Sequence, residues 1–313
     1  MRFKKKTNEV QGRQAVGAWN ERKKTPILLP CAAVSPFLLP LRTMSKERKF
    51  RVRAKKALGQ HFLHDQRTAS RIVDSLVVPP AATLRLLEIG PGMGILTKLL
   101  AGRDEIDLRV IEIDRESVAY LRENRLVEED RIIEGDFLKT DLSNVFPGRF
   151  SIVGNFPYNI SSQIFFKVLE HRDQVDQVVC MLQKEVAERI ASKHGSRVYG
   201  ILSVLVQAYY DVAFLFKVSP GVFAPPPKVM SAVIRLSRNA RTRLGCDEAL
   251  FVKVVKQGFN NRRKTLRNAL KNLNLAAAVS SLPLLDKRAE QLAVEDFVHL
   301  TRLIEESRAG APD

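Results

Sequence analysis

The segment Asn155-Phe-Pro-Tyr158 places an amide, a backbone carbonyl and an aromatic ring within four residues. The Asn155 side-chain oxygen and the Pro157 carbonyl could together accept both N–H groups of an exocyclic amine. Such an amine on a nucleobase is a poor nucleophile, because its lone pair is delocalised into the ring. Two acceptors would favour a pyramidal nitrogen with a localised lone pair, while the Tyr158 ring stacks on the base. Alkylation of a neutral amine depends on positioning more than on prior removal of a proton. Asn155, Pro157 and Tyr158 are therefore the candidate catalytic set. An isolated N-x-P-Y is an ordinary turn, so its meaning depends on what precedes it.

What precedes it can hold the electrophile. Leu86-Leu-Glu-Ile-Gly-Pro-Gly-Met-Gly94 reads as a strand entering a glycine turn, with a helix after it. Gly90, Gly92 and Gly94 allow close approach of backbone to a ligand. Position 95 is Ile, so the third glycine of G-x-G-x-x-G is missing, and the absence of G-K-[ST] excludes a P-loop. The second strand, Val110-Ile-Glu-Ile-Asp114, ends in acids where α/β sheets bond ribose hydroxyls. Glu112 and Asp114 compete for that role, and alternation leaves both on one side of the strand. After a third strand, Asp136 could accept from an exocyclic amine and Phe137 could wall an adenine ring. The three features in order suggest an adenosyl group without a pyrophosphate, the S-adenosylmethionine arrangement of class I methyltransferases.

These residues require elements to hold them. Leu84–Ile89, Asp107–Ile113, Arg131–Glu134 and Ser151–Val153 are short strand-like runs, separated by amphipathic stretches such as Ile95–Leu100 and Ser117–Glu123. The runs Val178–Leu182 and Val229–Leu236 continue the series, which implies an α/β, Rossmann-like, mainly parallel sheet with helices on both faces. The proline-rich connector Val218–Lys228 reads as irregular. Leu250–Gly258, Arg263–Leu273 and Val294–Glu306 read as the helices of a small all-helical C-terminal domain. The expected division is a leader over 1–45, a catalytic domain with a basic arm over 46–240, and a helical RNA-binding domain over 241–313.

The 313 residues are 45% hydrophobic with a net charge of +17, a composition that excludes wholesale disorder and favours a polyanionic partner. Residues 1–43 hold nine Lys or Arg against two Glu, so seven of those charges lie in a proline-broken leader, or in sequence upstream of a true start at Met44. From Lys46 to Lys56 there are seven cations and one Glu, and residues 253–271 carry seven cations and no acid. Arg262, Arg263, Lys264 and Arg267 in the second run are the candidate phosphate contacts. Cys31, Cys180 and Cys246 lie far apart without a C-x-x-C, and the five histidines show no ligand spacing, so neither a disulfide scaffold nor a metal is expected. No apolar run reaches the roughly 18 residues that a bilayer span needs. A cytoplasmic protein, off the membrane and acting as a monomer, is the expectation.

On these residues the chain resembles the ribosomal RNA adenine N6,N6-dimethyltransferase family, of the bacterial kasugamycin-sensitivity type. The matching segments include Ala57-Leu-Gly-Gln-His-Phe-Leu63, Leu87–Gly94, Val110–Asp114 and Gly135-Asp-Phe137. Further along come Gly154–Ser161, Gln183–Ala187, Tyr199–Ser203, Val222–Val229 and Phe259–Leu266. The resemblance implies that His61, Leu63, Gly90, Glu112, Asp136 and Asn155 contact the cofactor, which favours Glu112 over Asp114. It also implies that Phe223 is a second aromatic wall for the target adenine. Phe156 departs from the Leu or Ile usual in the family and keeps the position apolar, while Tyr158 differs from the Phe of mitochondrial relatives. The substrate implied is 16S rRNA within the immature small subunit. A large-subunit rRNA methyltransferase of the same family and a non-catalytic assembly checkpoint are the alternatives.

Overall fold

The computed structural model describes residues 52–309, so the leader and the basic arm as far as Arg51 lie outside the described residues. The strands are β1 (Phe62–Leu63), β2 (Leu84–Ile89), β3 (Ile106–Glu112), β4 (Ile132–Glu134), β5 (Phe150–Asn155), β6 (Val175–Gln183), β7 (Tyr210–Val218), β8 (Phe223–Ala224) and β9 (Ser231–Arg238). The helices are α1 (Gln66–Val73), α2 (Ile95–Ala101), α3 (Arg115–Glu123), α4 (Ser161–Glu170), α5 (Lys184–Ala191), α6 (Ile201–Gln207), α7 (Glu248–Asn260), α8 (Leu266–Ala269), α9 (Ala277–Ser280) and α10 (Val294–Ala309).

Seven strands form one sheet in the order β4-β3-β2-β5-β6-β9-β7. The pairings from β4 through β6 are parallel, and β9 runs antiparallel to both β6 and β7. Chain progress reverses between β2 and β5, so their carboxyl ends flank the crevice where open α/β sheets take ligands. The alternation read in the sequence builds both faces of β2. Leu84 and Leu86 pack with α1, α2 and α3, while Leu87 and Ile89 join the core containing α4, α6 and the C-terminal helices. That second core runs without a break from Ile152 and Ile234 of the sheet to Phe251, Phe297 and Leu300 of the tail. Aspartates start three helices: Asp65, Asp114 and Asp247 each accept a backbone N–H from the first turn that follows.

The structure differs from the sequence expectations in three places. The proline-rich connector contains β8, which pairs antiparallel with β1, Leu63 opposite Phe223. The edge strand β7 was not anticipated. The helix expected over Arg263–Leu273 is broken: α7 ends at Asn260, and a turn closed by Lys264 N–H donating to the Asn261 carbonyl at 2.8 Å leads to the single turn of α8. Thr265 is extended there, and the Leu266 N–H donates to the Lys287 carbonyl, so the local backbone is committed to a tertiary contact. Among the described residues, no helix is long and apolar enough to cross a membrane.

Candidate active site

A cavity opens at the carboxyl ends of β2, β3, β4 and β5, and the segment Leu58–Phe62 roofs it. Each strand end contributes a different chemical group, since the sheet brings the ends of β2 and β5, more than sixty positions apart, to one edge. From β2 comes the glycine turn. Gly90 has φ +67, and a Cβ there would meet nothing within 4 Å, so its open side faces the cavity. Gly92 has φ +56, and a Cβ would lie 2.9 Å from the Phe62 ring, so both backbone and space require glycine.

Glu112 projects from the end of β3 into the cavity wall. Its Oε2 accepts the Gly92 N–H at 3.1 Å and its Oε1 the Asp114 N–H at 2.9 Å. Burial pushes its carboxyl above the ordinary range, partly offset by those backbone donors. Asp114 does not line the cavity; it caps α3 and binds Lys55, Gln60 and Ser117. The two acids left open by spacing are thus separated by their partners. From β4, Asp136 holds the Leu138 N–H on Oδ1 at 2.9 Å, and Phe137 supplies an apolar wall. Lys167, nearly buried in α4, donates to the Leu138 carbonyl at 3.0 Å and to Thr140 O, pinning the loop that carries both. Nothing in its sequence position marks this lysine, which occupies an amphipathic helix face.

From β5 comes Asn155. Its Nδ2 donates to the His61 carbonyl at 2.8 Å, and its Oδ1 is buried without a donor among the described residues. Pro157 and Tyr158 line the same cavity. The Tyr158 hydroxyl bonds the Ser231 hydroxyl, and its ring lies 5.3 Å from the His61 ring. Burial raises its phenol above the ordinary range, so it is neutral at physiological pH. His61 Nδ1 bonds the Pro225 carbonyl at 2.8 Å. The catalytic set and His61, Gly90, Gly92, Glu112, Asp136, Phe137 and Asn155 are therefore brought together.

Two expected site side chains lie outside the cavity, and two of the four expected phosphate contacts bond within the chain. The Leu63 side chain is buried in the core against the α1–α2 face, and Phe62 takes the lining position instead. Phe223, its partner across the β1–β8 ribbon, is 2% exposed and belongs to that core, so its ring is not a cavity wall. The Arg262 guanidinium donates to the carbonyls of Arg197 and Tyr199. The Arg267 guanidinium pairs with Asp286 at 2.7 Å and donates to the Ser280 carbonyl. Arg263 and Lys264 are exposed and form no ion pair among the described residues.

The residues present fit an adenosyl cofactor. An acid at the end of β3, an acid with a free carboxylate oxygen at the end of β4, apolar walls at Ile113 and Phe137, and an open glycine turn surround one volume. Asn155 lines the same volume, and its Oδ1 is buried without a partner among the described residues. Among the described residues, no three His, Cys, Asp or Glu side chains gather as a metal-binding group.

The family profile described as ribosomal RNA adenine dimethylase matches residues 51–306. A relative from Parabacteroides distasonis, called ribosomal RNA small subunit methyltransferase A, is 57% identical over 265 residues, covering 83% of this chain and 98% of its own. Two solved structures are similar. A dimethyladenosine transferase from Plasmodium falciparum has a TM-score of 0.66 at 26% identity, covering 80% of this chain and 98% of its own. The 23S rRNA methyltransferase ErmE has a TM-score of 0.56 at 26% identity, covering 77% and 99%. With the profile spanning most of its length and the cavity built from the matching motifs, the chain belongs to the ribosomal RNA adenine dimethylase family.

Proposed function

We infer that the chain transfers methyl groups from S-adenosylmethionine to N6 of two adjacent adenosines near the 3′ end of 16S rRNA, giving N6,N6-dimethyladenosines. Its substrate is the immature small subunit, and it works in the cytoplasm as a monomer. The observation that carries this reading is the Asn155 side chain. With Nδ2 held by the His61 carbonyl, its Oδ1 is an acceptor fixed before any substrate arrives.

When bound, the cofactor supplies a methyl group on a cationic sulfur. Glu112 bonds the ribose hydroxyls with the lone pairs its backbone donors leave free. Asp136 would receive the adenine amine on its second oxygen, and Phe137 would pack on the ring. Gly90 and Gly92 let the methionyl portion approach the backbone. Asn155 Oδ1 and the Pro157 carbonyl accept the two N–H groups of the target adenine, and Tyr158 stacks on it. After the first transfer the monomethyl amine keeps one N–H for these acceptors, which is enough to orient the second. The nitrogen, cationic and acidic once its new bond has formed, would release its proton to bulk water.

The helices after residue 241 are read as the RNA-binding part. Phosphate contact falls to Arg263 and Lys264, together with the exposed Lys253, Lys256 and Lys271. Replacing Arg263 and Lys264 by alanine together should flatten the salt dependence of RNA affinity by about 1.4–1.8 log units per log unit of salt. Filter binding across a salt series reads this. An unchanged slope would remove both residues from the interface. The function itself is tested by incubating the purified chain and labelled S-adenosylmethionine with immature small subunits or with naked large-subunit rRNA. Label on N6 of the 16S adenosines alone is expected. Label on the large-subunit RNA alone would overturn the substrate assignment, and no label on either would favour an assembly role.

A further inference from the structure

We propose that Asp114 is a positioning residue for methyl transfer: through Lys55 and Gln60 it latches the segment 52–61 over the cavity and thereby aims Asn155. The proposal rests on the function above, and it concerns an acid that does not line the cavity.

A helix N-cap needs a single side-chain oxygen, and an aspartate is almost never fully buried unless it is paired. Asp114 has no exposed side-chain surface. Its Oδ1 accepts the Glu116 N–H at 3.3 Å and the Lys55 ammonium, and its Oδ2 accepts Ser117 Oγ–H at 3.1 Å and Gln60 Nε2–H at 3.2 Å. Two of these four donors come from a segment more than fifty residues earlier. Burial alone would raise this carboxyl, but the Lys55, Gln60 and Ser117 donors carry it below the ordinary range, and the Lys55 ammonium is raised by the same bond.

The segment is held internally as well. Gln60 Oε1 accepts the Lys55 N–H at 2.8 Å, so one carboxamide ties the start of the turn to its end and both to Asp114. Lys55 also reaches Glu116 at 3.2 Å. On the far side, Asn159 Nδ2 donates to the Ala57 carbonyl at 3.4 Å. Gly59 sits so close that a Cβ would lie 2.7 Å from Asn159 Oδ1, at φ +63. The residue after Gln60 is His61, whose carbonyl holds Asn155 Nδ2 and whose ring lies tilted beside that of Tyr158. A continuous line of contacts therefore runs from Asp114 through Gln60 and His61 to the reactive amide. Released from α3, the segment would leave the Asn155 carboxamide free to rotate and the cavity without its roof.

Lys55→Ala is the informative variant, because Lys55 does not line the cavity and its loss removes no atom from it. It should lower kcat about tenfold, as expected for a modest misplacement of a reacting group. It should also weaken S-adenosylhomocysteine binding in calorimetry several-fold and speed thermolysin cleavage between Val52 and Leu58, with a melting temperature only a few degrees lower, since the buried Asp114 carboxylate loses one of its four donors. Lys55→Arg should restore all three readouts, and Asp114→Asn should reproduce the alanine phenotype. Wild-type kcat, ligand affinity and cleavage in Lys55→Ala would overturn the latch. A fall in melting temperature matching the loss of activity, without rescue by arginine, would also overturn it by showing structural support only. Should the unaltered chain methylate no RNA, the reading of its function fails while ligand affinity and cleavage still test the latch.

Discussion

Asn155→Ala is expected to abolish methyl transfer while leaving RNA affinity unchanged. The structure argues for this because the two ends of the carboxamide have different duties. Nδ2 is occupied by the His61 carbonyl at 2.8 Å, whereas Oδ1 is buried with no donor among the described residues. A buried acceptor left alone costs about 1–3 kcal/mol, a penalty that disappears when a ligand supplies the missing donor. Removing one fixed polar group that acts on the reacting atoms typically lowers kcat by about 10²–10³. Single-turnover transfer from labelled cofactor measures the effect. Folding stability should move by no more than about 1 kcal/mol, since an unsatisfied acceptor and one hydrogen bond are lost together. Asn155→Asp offers a control: it keeps an acceptor at the cavity but puts a carboxylate oxygen against the His61 carbonyl, so it too should be inactive. Parallel loss of RNA binding and transfer would show that Asn155 supports the fold and not the chemistry.

The parts of this site that were legible in the sequence are those fixed by short-range pattern. Alternating apolar residues placed β2 and β3, and the glycines after Ile89 marked the turn, because a strand, a tight turn and a helix are dictated within a dozen residues. The motifs then fell at the carboxyl edge because parallel strands bring all such ends together. What was not legible depends on distant partners. Spacing could not separate Glu112 from Asp114, since the difference between them is made by Lys55 and Gln60. The cation run at 253–271 looked uniform, yet Arg262 and Arg267 spend their guanidinium groups on carbonyls and an aspartate of their own chain. The Leu63 side chain leaves the cavity to Phe62 because β8 pairs with β1 and sets Leu63 opposite Phe223. Strand β7 carries no mark in the sequence because only Ala208 and Tyr209 part it from α6, with no glycine or proline at the break.

The second large effect is expected at Glu88, a carboxyl that the chemistry does not use. It is 1% exposed on the α2 side of β2, and the Thr97 hydroxyl donates to its Oε2 at 2.7 Å. Burial raises its pKa to about 8, with the charge of Glu112 adding to the rise and the Thr97 bond opposing it. In the unfolded chain the group titrates near the ordinary value of about 4.3. Between those two values the folded state holds a proton that the unfolded state has released, so stability must fall as pH rises through the window. The contribution is fully present below about pH 4.3 and is lost by the time the pH has passed the folded value. Each pH unit inside the window is worth about 1.4 kcal/mol, which makes the loss a few kcal/mol by pH 7. Glu88→Gln removes the ionisation from both states and keeps an oxygen to accept the Thr97 hydroxyl. Its amide N–H₂ has no assigned acceptor, so at pH 4.5 the variant should be equal to the parent or slightly less stable. At pH 8 it should be more stable, the difference between the two proteins growing by about 4 kcal/mol across the range. Urea denaturation of the ligand-free chain at the two pH values reads this directly. A constant offset between the proteins at both pH values would show that Glu88 is already ionised in the folded state, paired with a cation or water that lowers its pKa.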